Sequence, residues 1–239
     1  MLLYYIRHGD PIYNPNQLTP LGERQAEAVA RRVAVHGIDR IYSSPSNRAR
    51  QTAEPLSQIV KKETQILEWA DEDTCFREMA QLDETRNLTT WPFRHRGYKL
   101  AMNSNEVRNL GRLWYTHPTF EGTGLDAAME RIQREVDGFL EDLGFKHDLE
   151  NNCFRQVQKN TEKIAFFAHE GVGAAILSCM LDVPYPIFST HFDMTHTGVT
   201  VIQFRETNGY VIPKVFTFSN DSHLYREGLP TKHQNMFYY

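Results

Sequence analysis

Four residues have the types and the placement to capture an anion and act on it: Arg7, His8, Arg48 and His169. Arg7-His8-Gly9 follows the apolar run Leu2 to Ile6, and His169-Glu170-Gly171 follows Ile164 to Ala168. Arg48 comes just after Ser43-Ser44-Pro45, which closes a third apolar run beginning at Ile38. In an open α/β sheet the ligand crevice lies beyond the C-terminal ends of the strands, so these three strand ends are predicted to meet there. Arginine's planar fork suits phosphate oxygens. A neutral imidazole is a good nucleophile near pH 7, and cationic surroundings keep it neutral. Gly9 and Gly171 let the backbone pass close to a ligand. Helices starting near Asn47 and Gly171 would aim their amide ends at the same anion.

The elements that must position these residues follow from periodicity. Leu2 to Ile6 reads as a short, fully buried strand. Asp10 to Leu18, with its prolines and asparagines, is a loop. Thr19-Pro20 opens a helix, since threonine caps well and proline is tolerated in the first turn. Leu21, Gln25, Ala28, Val29, Arg32 and Val33 continue it at helical spacing, and Gly37 is placed to end it. A second helix is predicted from about Asn47 to Val60, kinked or restarted at Pro55. Thr64 to Leu67 is a third short strand. Residues 71–160 contain no strand-like run, and helical patterns dominate at Asn105 to Tyr115 and Asp126 to Leu143. Trp91, Phe93, Tyr98, Trp114, Tyr115 and Phe120 crowd this segment, as insertion core or as a substrate box. Arg94-His95-Arg96 and Lys99 read either as solvated charge or as a second anion contact. Two strands are predicted around Asn208-Gly209, a strong hairpin signal. The predicted fold is a three-layer α/β/α sandwich: a mostly parallel central sheet in one domain, 1–239, carrying a helical cap at about 71–160.

Composition narrows the function classes. The chain has 239 residues, 41% hydrophobic and 23% charged, with a net charge of −4. That is ordinary for a globular domain and excludes a disordered or membrane-spanning chain. An acidic balance disfavours nucleic acid as a partner. Cys75, Cys153 and Cys179 are too few and too scattered for a disulfide framework. The start, Met1-Leu2-Leu3-Tyr4, has no basic region before the apolar run, so a cytoplasmic location is expected. No HExxH or Cys/His ligand spacing occurs, so no metal and no cofactor are expected. Oligomeric state is not readable.

Taken together, the motifs resemble the histidine phosphatase superfamily, which includes cofactor-dependent phosphoglycerate mutase and fructose-2,6-bisphosphatase. The resemblance is carried by Arg7-His8-Gly9, by Leu18-Thr19-Pro20-Leu21-Gly22-Glu23 and by Ser43-Ser44-Pro45-Ser46-Asn47-Arg48-Ala49-Arg50-Gln51-Thr52. Phe167-Ala168-His169-Glu170-Gly171 and Asn220-Asp221-Ser222-His223-Leu224 add to it. It implies that His8 accepts a phosphoryl group while Arg7, Arg48, His169 and Asn14 bind its oxygens. Glu170 and Gly171 would join the substrate pocket. Glu68 matches the acid that protonates the leaving oxygen. Glu170 stands where the family usually has glycine and the acid phosphatase branch has its proton donor, so it is the second candidate acid. Glu72 is an outside candidate. The expected activity is metal-independent hydrolysis of a small phosphorylated metabolite through phosphohistidine. A mutase-like phosphotransferase and a non-catalytic phosphate or phosphoprotein binder are the alternatives. The segment that marks the mutases is not recognisable here.

Overall fold

The first apolar run forms strand β1 (Leu2–Arg7), whose side chains alternate between two interiors. The computed structural model describes residues 1–231. Leu3 and Tyr5 enter one hydrophobic core with Ile164 and Phe166, while Tyr4 and Ile6 enter the other with Ala165 and Phe167. A strand buried on both faces reads as a continuous apolar run rather than an alternating one.

The remaining strands of the central sheet are β2 (Arg40–Ser43), β3 (Thr64–Ile66), β4 (Lys163–Ala168), β5 (Val199–Gln203) and β6 (Lys214–Asn220). Among the described residues the sheet has six strands in the order β6-β5-β1-β4-β2-β3. Strands β1, β4, β2 and β3 run parallel, and β5 pairs antiparallel with β1. The register sets Arg7 opposite Ala168 and Phe167 opposite Ser43. Three parallel strands therefore end at one level, and the residues that follow them share one edge.

Helices α1 (Pro20–Ala34) and α2 (Asn47–Val60) cover one face of the sheet. The Thr19 hydroxyl accepts the Gly22 N–H, as its capping role requires. Val29, Val33, Ala53 and Leu56 pack on Tyr4 and Ile6. Helix α2 runs unbroken through Pro55 and ends at Lys61, which is left-handed. No restart occurs at Pro55: burial of Ala53 and Leu56 on either side outweighs one missing hydrogen bond.

The opposite face carries α3 (Glu72–Met79), α4 (Arg96–Met102), α5 (Leu125–Asp142) and α6 (Gly171–Leu181). Residues 71–160 are not purely helical. Gln81–Asp83 pairs with Leu88–Thr90, and Phe145–Asp148 pairs with Cys153–Gln156. The second pair joins the hairpin at Asn208-Gly209 to form a four-stranded sheet. These strands are three or four residues long and mixed in polarity, so pairing rather than pattern defines them. The helix predicted from Asn105 to Tyr115 is also divided, by Gly111 at φ +58°. Trp91, Phe93, Trp114 and Phe120 are buried in one core with Tyr5 and Phe166. Helix α7 (Ser222–Arg226) packs against α1, with Leu224 beside Ala28.

Candidate active site

His8 sits immediately past β1 and is 2% exposed. Its backbone N–H donates to Ala168 across the sheet. The next residue must be glycine: a Cβ on Gly9 would meet the Gly22 carbonyl oxygen at 2.7 Å. The Gly9 N–H donates to Thr52 Oγ1, and the Thr52 hydroxyl donates to the Arg48 carbonyl, so the histidine loop is tied to α2. His8 Nδ1 lies 2.7 Å from the Gly9 carbonyl. A carbonyl only accepts, so Nδ1 carries the hydrogen and Nε2 keeps its lone pair. Burial, then His169, Arg7 and Arg48, hold the His8 pKa well below the usual imidazole range. The ring is neutral at neutral pH.

His169 follows β4 and is fully buried, its ring centroid 5.1 Å from that of His8. The Tyr5 hydroxyl donates to its carbonyl. Ser44 Oγ accepts the Ser46 N–H and lies 2.6 Å from His169 Nε2. With the serine hydrogen given to Nε2, the proton sits on Nδ1, which has no partner among the described residues. His169 is not itself among the side chains lining the cavity that Arg7, His8 and Arg48 share. Arg48, in the first turn of α2, is buried with its Nε likewise unpartnered. Tyr13 lies 5.4 Å from its guanidinium carbon. Arg7 Nη1 donates to the Met194 carbonyl and sits 3.3 Å from Glu170 Oε2. Together Arg7, His8 and Arg48 line a cavity of about 210 Å³, with Glu72, Trp91 and Arg94 on its far side. Its charge and donor set suit one phosphoryl group.

The acidic residues fall out differently from expectation. Glu68 lies in the single turn Glu68–Ala70 after β3, exposed and outside this cavity. Glu72, one turn further on, lines the cavity at the start of α3. Its carboxylate accepts the Val172 N–H at 2.8 Å and the Gly171 N–H at 3.3 Å. Burial pushes its pKa up to about 7. Glu170 is paired with both Arg7 and Arg94, the latter at 2.7 Å. Burial acts to raise its pKa, and the two arginines overcome it and hold the carboxyl ionised. The amide end of α6 thus faces the Glu72 carboxylate.

Asn14 is exposed and does not line the cavity. Asn16, two residues on, accepts the Arg48 N–H through Oδ1 and so steadies the start of α2. Sequence reasoning passed over Asn16 and Tyr13, whose spacing does not mark them; Trp91, from the aromatic cluster, lines the cavity. The C-terminal motif reaches the site indirectly. His223 Nε2 lies 2.9 Å from Thr197 Oγ1, and the Thr197 N–H donates to the carbonyls of Arg7 and His8. Among the described residues no three His, Cys, Asp or Glu side chains are grouped so as to hold a metal. No helix there is long and apolar enough to cross a membrane.

Comparison with known proteins agrees with this geometry. The family model described as histidine phosphatase superfamily (branch 1) matches residues 3–214. A protein of Hydrogenobacter thermophilus, provisionally named phosphoserine phosphatase 2, is 28% identical over 213 residues, covering 85% of this chain and 89% of its own. Phosphoserine phosphatase from Entamoeba histolytica in complex with 3-phosphoglyceric acid superposes with a TM-score of 0.58 at 22% identity, covering 93% of this chain and 98% of that one. A mycobacterial glucosyl-3-phosphoglycerate phosphatase gives 0.57 at 17% identity, covering 91% and 98%.

Proposed function

Because the chain belongs to the histidine phosphatase superfamily and is a phosphatase, we propose that it is a cytoplasmic, metal-independent phosphomonoesterase that hydrolyses a small phosphorylated metabolite through phospho-His8. The observation that carries this reading is the His8 ring: neutral, with Nδ1–H given to Gly9 and Nε2 open, in a pocket shared with Arg7 and Arg48. Nε2 attacks phosphorus, and the bond to the ester oxygen breaks. Arg7, Arg48 and His169 Nδ1–H hold the equatorial oxygens as charge spreads over them. Glu72, protonated up to about pH 7, donates its proton to the departing oxygen. The resulting carboxylate is steadied by the Gly171 and Val172 amides and then takes a proton from the water that attacks phospho-His8. The whole chain acts as one unit, with residues 71–160 as a cap over the phosphate pocket. The names of its relatives support a phosphorylated acidic metabolite as the substrate class.

The test is direct. His8→Ala abolishes turnover of p-nitrophenyl phosphate, and quenched wild-type enzyme carries alkali-stable, acid-labile phosphate. Activity survives excess EDTA. Phosphate appears as inorganic phosphate rather than on an acceptor metabolite, which separates hydrolysis from mutase-like transfer. Full activity in His8→Ala overturns the mechanism, and ligand binding with no turnover by the wild type would make the chain a binding module.

A further inference from the structure

A second, larger cavity of about 790 Å³ adjoins the phosphate pocket. Both are lined by Arg94 and Glu170, so a phosphoryl group seated at His8 has this annex beside it. Its remaining charges are mainly basic. Arg86, Arg96 and Lys99 line it, against Glu170 and Asp193. Glu170 is already committed to Arg7 and Arg94. Burial and then the nearby Glu170 push the Asp193 carboxyl upward, away from its charged form. Arg96 and Lys99 stand about one turn apart on α4, are exposed, and make no ion pair among the described residues. Phe93, Leu100 and Phe192 supply apolar wall between them.

Cations gathered around a single concavity repel one another and raise the local concentration of anions. Solvated surface charge alone would not require them to share a cavity that borders the phosphate site. Size argues the same way. Pockets that enclose whole ligands measure roughly 300–1,000 Å³, and the phosphate pocket alone falls short of that range. A three-carbon leaving group would leave most of the annex to water.

We propose that the annex is the leaving-group subsite, and that the substrate is a phosphomonoester whose leaving group carries a second anionic group, carboxylate or phosphate, set off from the ester by a linker. This rests on the phosphatase reading above. Arg96 and Lys99 bind the distal anion, Arg94 stands at the passage between the two cavities, and the aromatic wall covers the linker.

The experiment compares kcat/KM of the full chain for hexyl phosphate, its ω-carboxylate counterpart and the ω-bisphosphate, with shorter and longer homologues. At the best linker length an acid-tailed ester is preferred by about tenfold, a gain of the size that a few part-exposed ion pairs provide, and added salt erodes the preference. The two tails tell carboxylate from phosphate. In Arg96→Ala/Lys99→Ala the preference collapses toward one, through KM. Arg50→Ala, which removes an exposed cation on α2 outside the annex, leaves the ratio intact. Equal handling of acidic and neutral tails at every length overturns the subsite, as does a preference that survives the double variant. If p-nitrophenyl phosphate is hydrolysed and that activity disappears in His8→Ala, the phosphatase reading stands in either case. If no phosphomonoester is hydrolysed, the phosphatase reading fails and the subsite falls with it.

Discussion

Expelling an alkoxide from phosphorus needs a proton, whereas a nitrophenolate leaves without one. That difference lets the acid be identified residue by residue. Glu72 lines the pocket and holds its proton up to about pH 7, while Glu170 is kept ionised by two arginines and Glu68 lies outside. Glu72→Gln should slow an alkyl phosphate by roughly a hundredfold or more and p-nitrophenyl phosphate far less. Glu68→Gln should change neither. The pH profile follows from the same groups. A general acid works only when protonated, so kcat/KM for the alkyl ester falls as pH rises through about 7, and that limb is absent in Glu72→Gln. His8 works only when neutral, and its lowered pKa keeps activity alive below the usual histidine range. A rate that instead rises through pH 7 for the alkyl ester would assign the proton to another group.

At the scale of elements, the end of β1 is held from behind by the C-terminal segment. Arg32 on α1 donates to the Asn220 carbonyl and lies 3.1 Å from His223 Nδ1, and His223 reaches Thr197. Burial and then Arg32 lower the His223 pKa to about 4, so its Nδ1 remains an acceptor at working pH. Thr197 adopts φ +57°, a conformation that costs a β-branched residue about 1–3 kcal/mol and persists only where neighbours hold it. Its N–H in turn holds the carbonyls of Arg7 and His8. His223→Ala should therefore lower kcat by about tenfold to a hundredfold, since small displacements of a nucleophile are expensive, with little change in KM. His223→Gln, which keeps a donor toward Thr197, should recover part of the loss. Equal falls in kcat and in folded fraction would reduce the brace to a stability effect.

For the whole molecule, the phosphate pocket holds one buried cation, Arg48, that forms no salt bridge among the described residues. Its Nε is unpartnered and its charge is opposed by Glu72 only through space, and a buried cation so weakly compensated is destabilising. Arg48→Met should raise the melting temperature of the empty protein. Inorganic phosphate at a hundredfold excess over its Kd should stabilise the wild type by about 2.7 kcal/mol, or roughly 5–10 °C for a chain of this length, and Arg48→Met should lose that shift. A variant less stable when empty, or equally protected by phosphate, would contradict this account.

The same contrast between local and assembled information runs through the fold. Sequence alone determined β1 and β4, the Thr19 cap, and the placement of Arg7, His8 and His169 at neighbouring strand ends with Arg48 in the helix turn that follows a third. These depend on local order: a doubly buried strand must be apolar throughout, and a residue directly after it must stand at the sheet's edge. Only the tertiary structure put Glu72 rather than Glu68 at the pocket, since the turn between β3 and α3 leaves the first exposed and brings the second to the amide end of α6. It likewise decided that Asn16 rather than Asn14 supports Arg48, that short polar segments at Gln81–Asp83 and Phe145–Asp148 pair as strands, and that α4 turns its cations toward a cavity beside the phosphate pocket. Each depends on contacts between segments far apart in the chain. Such contacts are made by long-range packing and leave no mark on the spacing of neighbouring residues.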